Sequence, residues 1–133
     1  MESMKMNRIT RELAPAIPML NMADWDWTPI ASVDLEFEGE KKSVNIRLQG
    51  AIAGMSSENL EQFLKEISSF PANRWTLEMQ DLKVLSGLGV RKLVRFAKYL
   101  RRRGFELEVR GVHRNVYAIL QDANSVQQFA WMN

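Results

Sequence analysis

The sequence predicts an α/β domain: a mixed β-sheet with an N-terminal hairpin and helices packed mainly on one side. Apolar and charged residues alternate over Val33, Leu35 and Phe37 and again over residues 44–48, which is typical of an antiparallel hairpin with one wet face. An apolar stripe at helical spacing runs through residues 88–103. Strands and helices alternate after the hairpin, which indicates βαβ units and parallel strands.

Composition indicates a folded chain with one core. The 133 residues are 46% hydrophobic and 26% charged, which is ordinary for a globular domain. The chain has no cysteine, which excludes a disulfide framework, a thiolate metal site and a cysteine nucleophile. No apolar run approaches the roughly 20 residues of a membrane span, and the N-terminus lacks the apolar core of a secretory signal. We therefore expect a cytoplasmic protein.

Residues 1–28 differ from the remainder in being rich in methionine and tryptophan, and we expect them to form an N-terminal arm to a domain of residues 29–133. Apolar residues at helical spacing predict a short helix near residues 5–14, which Pro15 and Pro18 prevent from continuing. The arm either packs on the domain or forms an interface, because methionine and tryptophan suit adaptable contacts. Such an interface would serve either a homodimer or the binding of another protein.

The elements after the hairpin can be placed from their patterns. Ser56 and Ser57 suit the cap of a first helix, which Pro71 stops. Residues 75–79 alternate as a strand, and residues 80–83 read as a polar loop.

The second half of the chain continues the alternation. The helix over residues 88–103 should end at Gly104, a residue suited to the left-handed region after a helix. A strand over residues 105–109 is expected to stop at Gly111, and a last short helix begins near Arg114. Phe129 and Trp131 in the tail are expected to pack back on the body.

Four segments resemble STAS domains, the fold of anti-sigma-factor antagonists. Residues 75–79 followed by the sequence Ser-Gly-Leu-Gly-Val at 86–90 resemble the centre of that family. Residues 48–52 resemble the end of its earlier strand, and residues 103–109 resemble its Arg-Gly segment and the strand that follows. The likeness covers roughly residues 31 to 125. It implies a STAS-type fold and a protein-binding role without enzymatic activity.

The resemblance implies that Ser86 occupies the position phosphorylated in the family's anti-sigma-factor antagonists. Those proteins usually carry Asp-Ser-Ser-Gly or Asp-Thr-Ser-Gly, whereas this chain has Val84 and Leu85 before the serine. One interpretation of Ser86 is a helix cap that stabilises the fold by about 1 kcal/mol. The other is a switch, because a phosphate adds about −1.5 to −2 charge beside a partner-binding surface.

The helix after Ser86 has a strongly basic face, which is either solvated, with Glu106 and Glu108 as counterions, or a docking surface for an acidic protein or an anionic membrane. In the STAS family this helix usually faces the partner, so a protein partner is favoured. Nucleic acid is not expected, because exposed aromatic residues are not interleaved with the charges. The basic residues are Arg91, Lys92, Arg95, Lys98, Arg101, Arg102 and Arg103. The predicted partner-binding residues are Ser86, Gly87, Leu88, Arg91, Lys92, Arg95 and Lys98.

No residue pattern indicates catalysis, a cofactor or a metal. His113 is the only histidine and has no evident triad partner. The glycines at 87 and 89 lack the Gly-Lys-Ser/Thr ending of a phosphate-binding loop. Asp24, Asp26 and Asp34 do not have the spacing of a calcium loop.

Two functions from different classes remain open at this stage. The first is a partner-switching regulator that binds an anti-sigma factor or a serine kinase under the control of Ser86. The second is a constitutive accessory subunit that binds the ATPase subunit of a lipid-transport ABC complex. Residues 111–120 resemble the matching segment of the STAS subunit of those complexes, a Gly-Val strand end followed by a Val-Tyr helix.

Overall fold

Six strands form one sheet whose spatial order follows their order along the chain. The computed structural model describes residues 5–13 and 27–132. The strands are β1 (Lys5–Glu12), β2 (Ile30–Glu38), β3 (Lys41–Ile52), β4 (Arg74–Leu85), β5 (Leu107–Val112) and β6 (Ala130–Trp131). The helices are α1 (Met55–Ile67), α2 (Gly87–Arg102) and α3 (Arg114–Asp122). Strands β1 to β3 pair antiparallel and strands β3 to β6 pair parallel, which confirms the mixed α/β fold.

The parallel connections explain where the helices lie. Each of α1, α2 and α3 links neighbouring parallel strands, and right-handed crossovers place all of them on the same face. Ile46, Leu77 and Val109 lie opposite one another on adjacent strands of that face and are fully buried. The other face is polar and includes the salt bridge between Arg74 and Glu108, at 3.2 Å. The core therefore lies between the sheet and one helix layer.

The predicted helix near residues 5–14 is wrong, because this segment forms β1 and pairs with β2 from Lys5↔Phe37 to Glu12↔Ile30. Ile9 and Leu13 are four residues apart, a spacing that puts two side chains on one face of a helix and also on one face of a strand. This segment forms a strand because the free edge of β2 offers it backbone hydrogen bonds. Residues 14–26, with Pro15, Pro18 and Trp25, lie outside the described residues, so the boundary at residues 28 and 29 stays a prediction.

Two other boundaries differ from their predictions. Residues 80–83 continue β4 rather than forming a loop, since the strand runs to Leu85 and the buried Leu82 points into the core. Strand β5 begins at Leu107 and runs past Gly111 to Val112. Its register with β4 shifts at this glycine, which has a φ of 68°, so Gly111 is the extra residue of a bulge and does not end the strand.

The C-terminal tail packs back on the body, as predicted. Phe129 is 5% exposed, and the indole Nε1 of Trp131 donates a hydrogen bond to the carbonyl oxygen of Val126 at 2.8 Å. The Trp131 ring also meets the Tyr117 ring edge to face, with 5.1 Å between the centroids. These contacts fix β6 against β5.

Candidate functional site

Ser86 lies at the end of the sheet where β4 stops and α2 begins. Its side chain is the N-cap of α2, since Oγ accepts a hydrogen bond from the backbone N–H of Gly89 at 3.2 Å. Its backbone N–H donates to the carbonyl oxygen of Ile52 at 2.9 Å, which ties the end of β3 to the start of α2. The predicted cap is present, and the serine hydroxyl is held at a fixed position.

A second serine, Ser57, is hydrogen-bonded to the hydroxyl of Ser86. The Oγ of Ser57 lies 3.3 Å from the Oγ of Ser86, and Ser57 is fully buried. Either hydroxyl can be the donor of this hydrogen bond, because the Ser86 oxygen has a second lone pair beside the one that accepts from Gly89. The predicted cap role of Ser56 and Ser57 is wrong, because the N-cap of α1 is Gly54 and makes no side-chain cap bond. Ser57 instead orients the hydroxyl of Ser86.

Two apolar residues precede Ser86, and the second of them, Leu85, has a packing role. Leu85 is 1% exposed and lies under the first turn of α2. A Cβ atom added to Gly89 would come 2.6 Å from the Cδ1 of Leu85, so the leucine and the glycine fit together closely. Val84, at the position of the family aspartate, is a half-buried residue of β4. The chain thus has a hydrophobic contact at Leu85, where the family usually has a hydroxyl side chain.

The exposed side of α2 carries a surface that we call the α2 docking face. A shallow groove of about 650 Å³ runs along it. Within the described ranges, 5–13 and 27–132, no salt bridge joins Arg91, Lys98 or Arg102 to a carboxylate. The α2 docking face consists of Gly87, Arg91, Arg95, Lys98, Tyr99 and Arg102, all exposed, while Leu88 is half-buried beside it.

Lys92 does not lie on this face, although the sequence placed it among the partner-binding residues. Its side chain is 8% exposed and points toward α1, where Nζ lies 2.9 Å from the Oε1 of Glu61 and 3.4 Å from the Oε1 of Glu58. Arg95 donates to the other carboxylate oxygen of Glu61. Lys92 therefore joins α1 to α2, and a partner on the docking face would not reach it directly.

The counterions of the basic helix are only partly those expected from the sequence. Arg101 pairs with Glu106 at 3.0 Å, as expected, but Glu108 pairs with Arg74 of β4. The carboxylate of Glu61 on α1 takes the central position, between Lys92 and Arg95. No local sequence signal pointed to Glu61, because it lies 31 residues before Lys92.

A second groove, of about 260 Å³, separates α1 from α2 and has an apolar floor that includes Leu64 and Phe96. Tyr99 lines both grooves and is 40% exposed, with the guanidinium carbon of Arg103 5.6 Å from its ring centroid. Met55, the first residue of α1, is 72% exposed. Sequence reasoning missed both residues, and the exposed Tyr99 beside Lys98 contradicts the expectation that no exposed aromatic residue is interleaved with the charges. Exposure at a helix end or between two helices depends on packing.

The Lys92 hydrogen bond to Glu61 lowers the pKa of this carboxyl below its usual value, and Arg95 adds to the shift. Because the folded state lowers this pKa, the ion pair stabilises the fold at neutral pH, and the stabilisation is lost as the pH falls through the lowered pKa. We expect Glu61→Gln to lower the free energy of unfolding by about 2 kcal/mol at pH 7, since it leaves the buried Lys92 cation poorly paired.

Urea unfolding at pH 7 and at a series of more acidic pH values measures this effect, because acidification through the lowered pKa protonates the Glu61 carboxyl, which then resembles glutamine. The difference between Glu61→Gln and wild type should shrink strongly on acidification. Glu106→Gln is the matched control, since its pair with Arg101 is half exposed and should be worth less than about 1 kcal/mol. A pH-independent loss would contradict the role assigned to Glu61.

His113 precedes α3 as its N-cap residue and makes no side-chain cap bond. Across the described part of the chain, no three His, Asp or Glu side chains are grouped as metal ligands. Among the same residues, no helix has both the length and the apolar character needed to cross a membrane.

Comparison with known proteins identifies the central part of the chain. The protein-family model described as "Mlab, STAS domain" matches residues 35–125. The match runs from the middle of β2 past the end of α3, so it includes Ser86, both grooves and the whole of α2, but not β1. No curated protein matched the sequence.

Proposed function

Because this chain belongs to the STAS domain family, whose members are regulatory or binding domains, we propose that its α2 docking face binds an acidic protein partner. The observation that carries the proposal is the group of Arg91, Lys98 and Arg102 on one helix face, for which the described residues provide no carboxylate. Acidic residues of a partner would supply the missing counterions and would steer its approach.

The apolar part of the same surface suits a specific contact. Tyr99 is exposed between the two grooves, and tyrosine and arginine are the residues most often found at the energetic centres of protein interfaces. The apolar floor at Leu64 and Phe96 offers a cleft for a side chain of the partner. A charged rim around an apolar contact is the usual arrangement of a protein interface.

The surroundings of Ser86 favour constitutive binding. Its hydroxyl is bonded to Gly89 and lies against the buried Ser57, and the family's acidic and hydroxyl positions hold Val84 and Leu85. We therefore propose a cytoplasmic accessory subunit that holds an ATPase subunit of a lipid-transport ABC complex. The description of the matching family names Mlab, and residues 111–120 resemble the STAS subunit of such complexes.

The second proposal is a partner-switching anti-sigma-factor antagonist controlled by phosphorylation of Ser86. It is favoured by the position of this half-buried serine, which adjoins the exposed Gly87 of the docking face. A phosphate there would sit at the positive end of α2 and would repel an acidic partner. Phosphorylation would remove the Oγ proton of Ser86, and so any donation from it to Ser57, while the phosphate oxygens could still accept from the N–H of Gly89.

A pull-down with four baits tests the docking face and separates the two proposals. The baits are wild type, Ser86→Asp, the double variant Arg91→Glu/Lys98→Glu, and the matched control Lys41→Glu/Lys83→Glu. The control reverses two exposed lysines that lie outside the docking face. We expect wild type and control to capture the same partner, and the Arg91→Glu/Lys98→Glu bait to recover about tenfold less, because two attractive contacts become repulsive.

The Ser86→Asp bait then decides the mode of binding. An ABC ATPase that both wild type and Ser86→Asp retain would support the accessory role. An anti-sigma factor or serine kinase that binds wild type and not Ser86→Asp would support the switch. Equal capture by the Arg91→Glu/Lys98→Glu bait, with an unchanged circular dichroism spectrum, would remove the docking face from both accounts.

A further inference from the structure

Strand β1 is an edge strand with a long open side. It has eight residues and pairs with β2 along its whole length, and no described strand pairs with its other side. The opposite edge of the sheet ends in β6, which has only two residues. The two edges therefore differ, and among the described strands β1 is the edge strand with an extended row of outward backbone groups.

The direction of those backbone groups follows from one hydrogen bond. The N–H of Leu13 donates to the carbonyl oxygen of Pro29 at 2.8 Å. These two residues lie next to the pair Glu12↔Ile30 in the register, so Leu13 and Pro29 form a hydrogen-bonded pair. Antiparallel strands alternate between hydrogen-bonded and non-bonded positions. Odd-numbered residues of β1 thus face β2 with their backbone groups, whereas Arg8, Thr10 and Glu12 direct their N–H and C=O groups to the open side.

This edge lacks three of the features that usually prevent strand pairing: proline, a bulge and short length. Edge strands are commonly protected by proline, by a bulge, by short length or by charged side chains over the edge. β1 contains no proline, and its register with β2 is unbroken. Its arginines are held by the chain itself: Arg8 pairs with Asp34 at 2.6 Å and Arg11 pairs with Glu66 at 2.7 Å. Ile9 between them is 39% exposed.

We propose that β1 pairs antiparallel with β1 of a second copy of this chain, so that the two sheets become one continuous sheet. The two-fold axis passes beside Ile9, which then lies opposite Ile9 of the second copy at a non-bonded position, where side chains approach most closely. Arg8 and Thr10 exchange backbone hydrogen bonds with Thr10 and Arg8 of the second copy. This interface is separate from the α2 docking face and does not depend on the proposed function.

The sequence of the strand argues for a second copy and for this register. A two-fold axis at Arg8 would place two guanidinium groups opposite each other, and an axis at Thr10 would place Ile9 opposite Arg11. Only the axis at Ile9 pairs the exposed apolar side chain with its equivalent. Because Asp34 and Glu66 already neutralise Arg8 and Arg11, these two arginines do not repel the arginines of a second copy.

Sedimentation over a concentration series, with wild type and three variants, tests this dimer. Thr10→Pro removes an outward N–H without removing a hydrogen bond to β2, whereas Thr10→Val keeps the N–H and is the matched control. Ile9→Glu places two negative charges opposite each other at the two-fold axis. It provides the test if the proline variant does not fold. Wild type and Thr10→Val should approach twice the monomer mass of 15.4 kDa, and Thr10→Pro and Ile9→Glu should dissociate at least about tenfold more easily.

Two results would overturn the dimer: a wild-type chain that stays at the monomer mass, or folded Thr10→Pro and Ile9→Glu variants that dimerise as well as wild type. The Arg91→Glu/Lys98→Glu variant should still dimerise, because its substitutions lie on α2. Loss of partner capture with an intact dimer, or the reverse, would therefore show which of the two surfaces has been assigned wrongly.

Discussion

Gly50→Ala is expected to lower the free energy of unfolding by about 4 kcal/mol, one of the largest effects of any single substitution in this chain. Gly50 has a φ of 81°, in the left-handed region that side chains disfavour. A Cβ atom there would lie 2.1 Å from the backbone oxygen of Thr28. The backbone has little room to move, since the N–H of Ala51 donates to the carbonyl oxygen of Trp27 at 3.1 Å.

Gly39→Ala is the control that separates strain from contact. Gly39 lies in the turn between β2 and β3, has a φ of 62°, and has nothing within 4 Å of an added Cβ. Gly39→Ala should lower the free energy of unfolding by only about 1 kcal/mol, because it strains the backbone conformation without creating a steric contact. Urea unfolding of both variants gives the difference. Equal losses at the two glycines would mean that the segment at Thr28 does not cross Gly50 closely.

Leu93→Ala should lower the free energy of unfolding by about 3 kcal/mol, because it leaves a cavity between α2 and the sheet. Leu93 is fully buried and belongs to the same core as Leu77 and Leu107. Arg91→Ala, two residues earlier on the exposed side, should change stability by less than about 0.5 kcal/mol. Thermal or urea unfolding compares the two variants. A similar small loss of stability for both would mean that Leu93 does not lie on the face of α2 that packs against the core.

The features that could be predicted from sequence are those that nearby residues determine. The β2–β3 hairpin followed from the alternation of apolar residues, and α2 followed from a stripe with three- and four-residue spacing. The cap at Ser86 followed from one serine before a helix, and the family resemblance agreed with the later match over residues 35–125. The signals for the hairpin, for α2 and for the cap each come from residues close together in the sequence.

The features that sequence reasoning missed depend on contacts between distant parts of the chain. Ile9 and Leu13 fit a helix and a strand equally well until β2 offers its edge. Lys92 lies in a run of basic residues that look alike, but it alone among them is buried, and it pairs with Glu58 and with Glu61, which is 31 residues away. Ser57 reaches Ser86 across 29 residues, at the place where two helices begin side by side. Such contacts cannot be read from periodicity, because each side chain alone suits several environments.

The shared carboxylate of Glu61 has a consequence for the ionic-strength dependence of binding. Arg95 already holds a carboxylate of its own chain, so an acidic group that binds it replaces one counterion with another and displaces few salt ions. Arg91, Lys98 and Arg102 are exposed and have no salt bridge among the described residues, so their charges should attract solvent anions that a partner must displace. Added salt should therefore weaken association mainly through these three residues. When a partner's carboxylate replaces Glu61 as the counterion of Arg95, Glu61 remains paired with Lys92. The salt bridge between α1 and α2 is therefore maintained while the partner is bound.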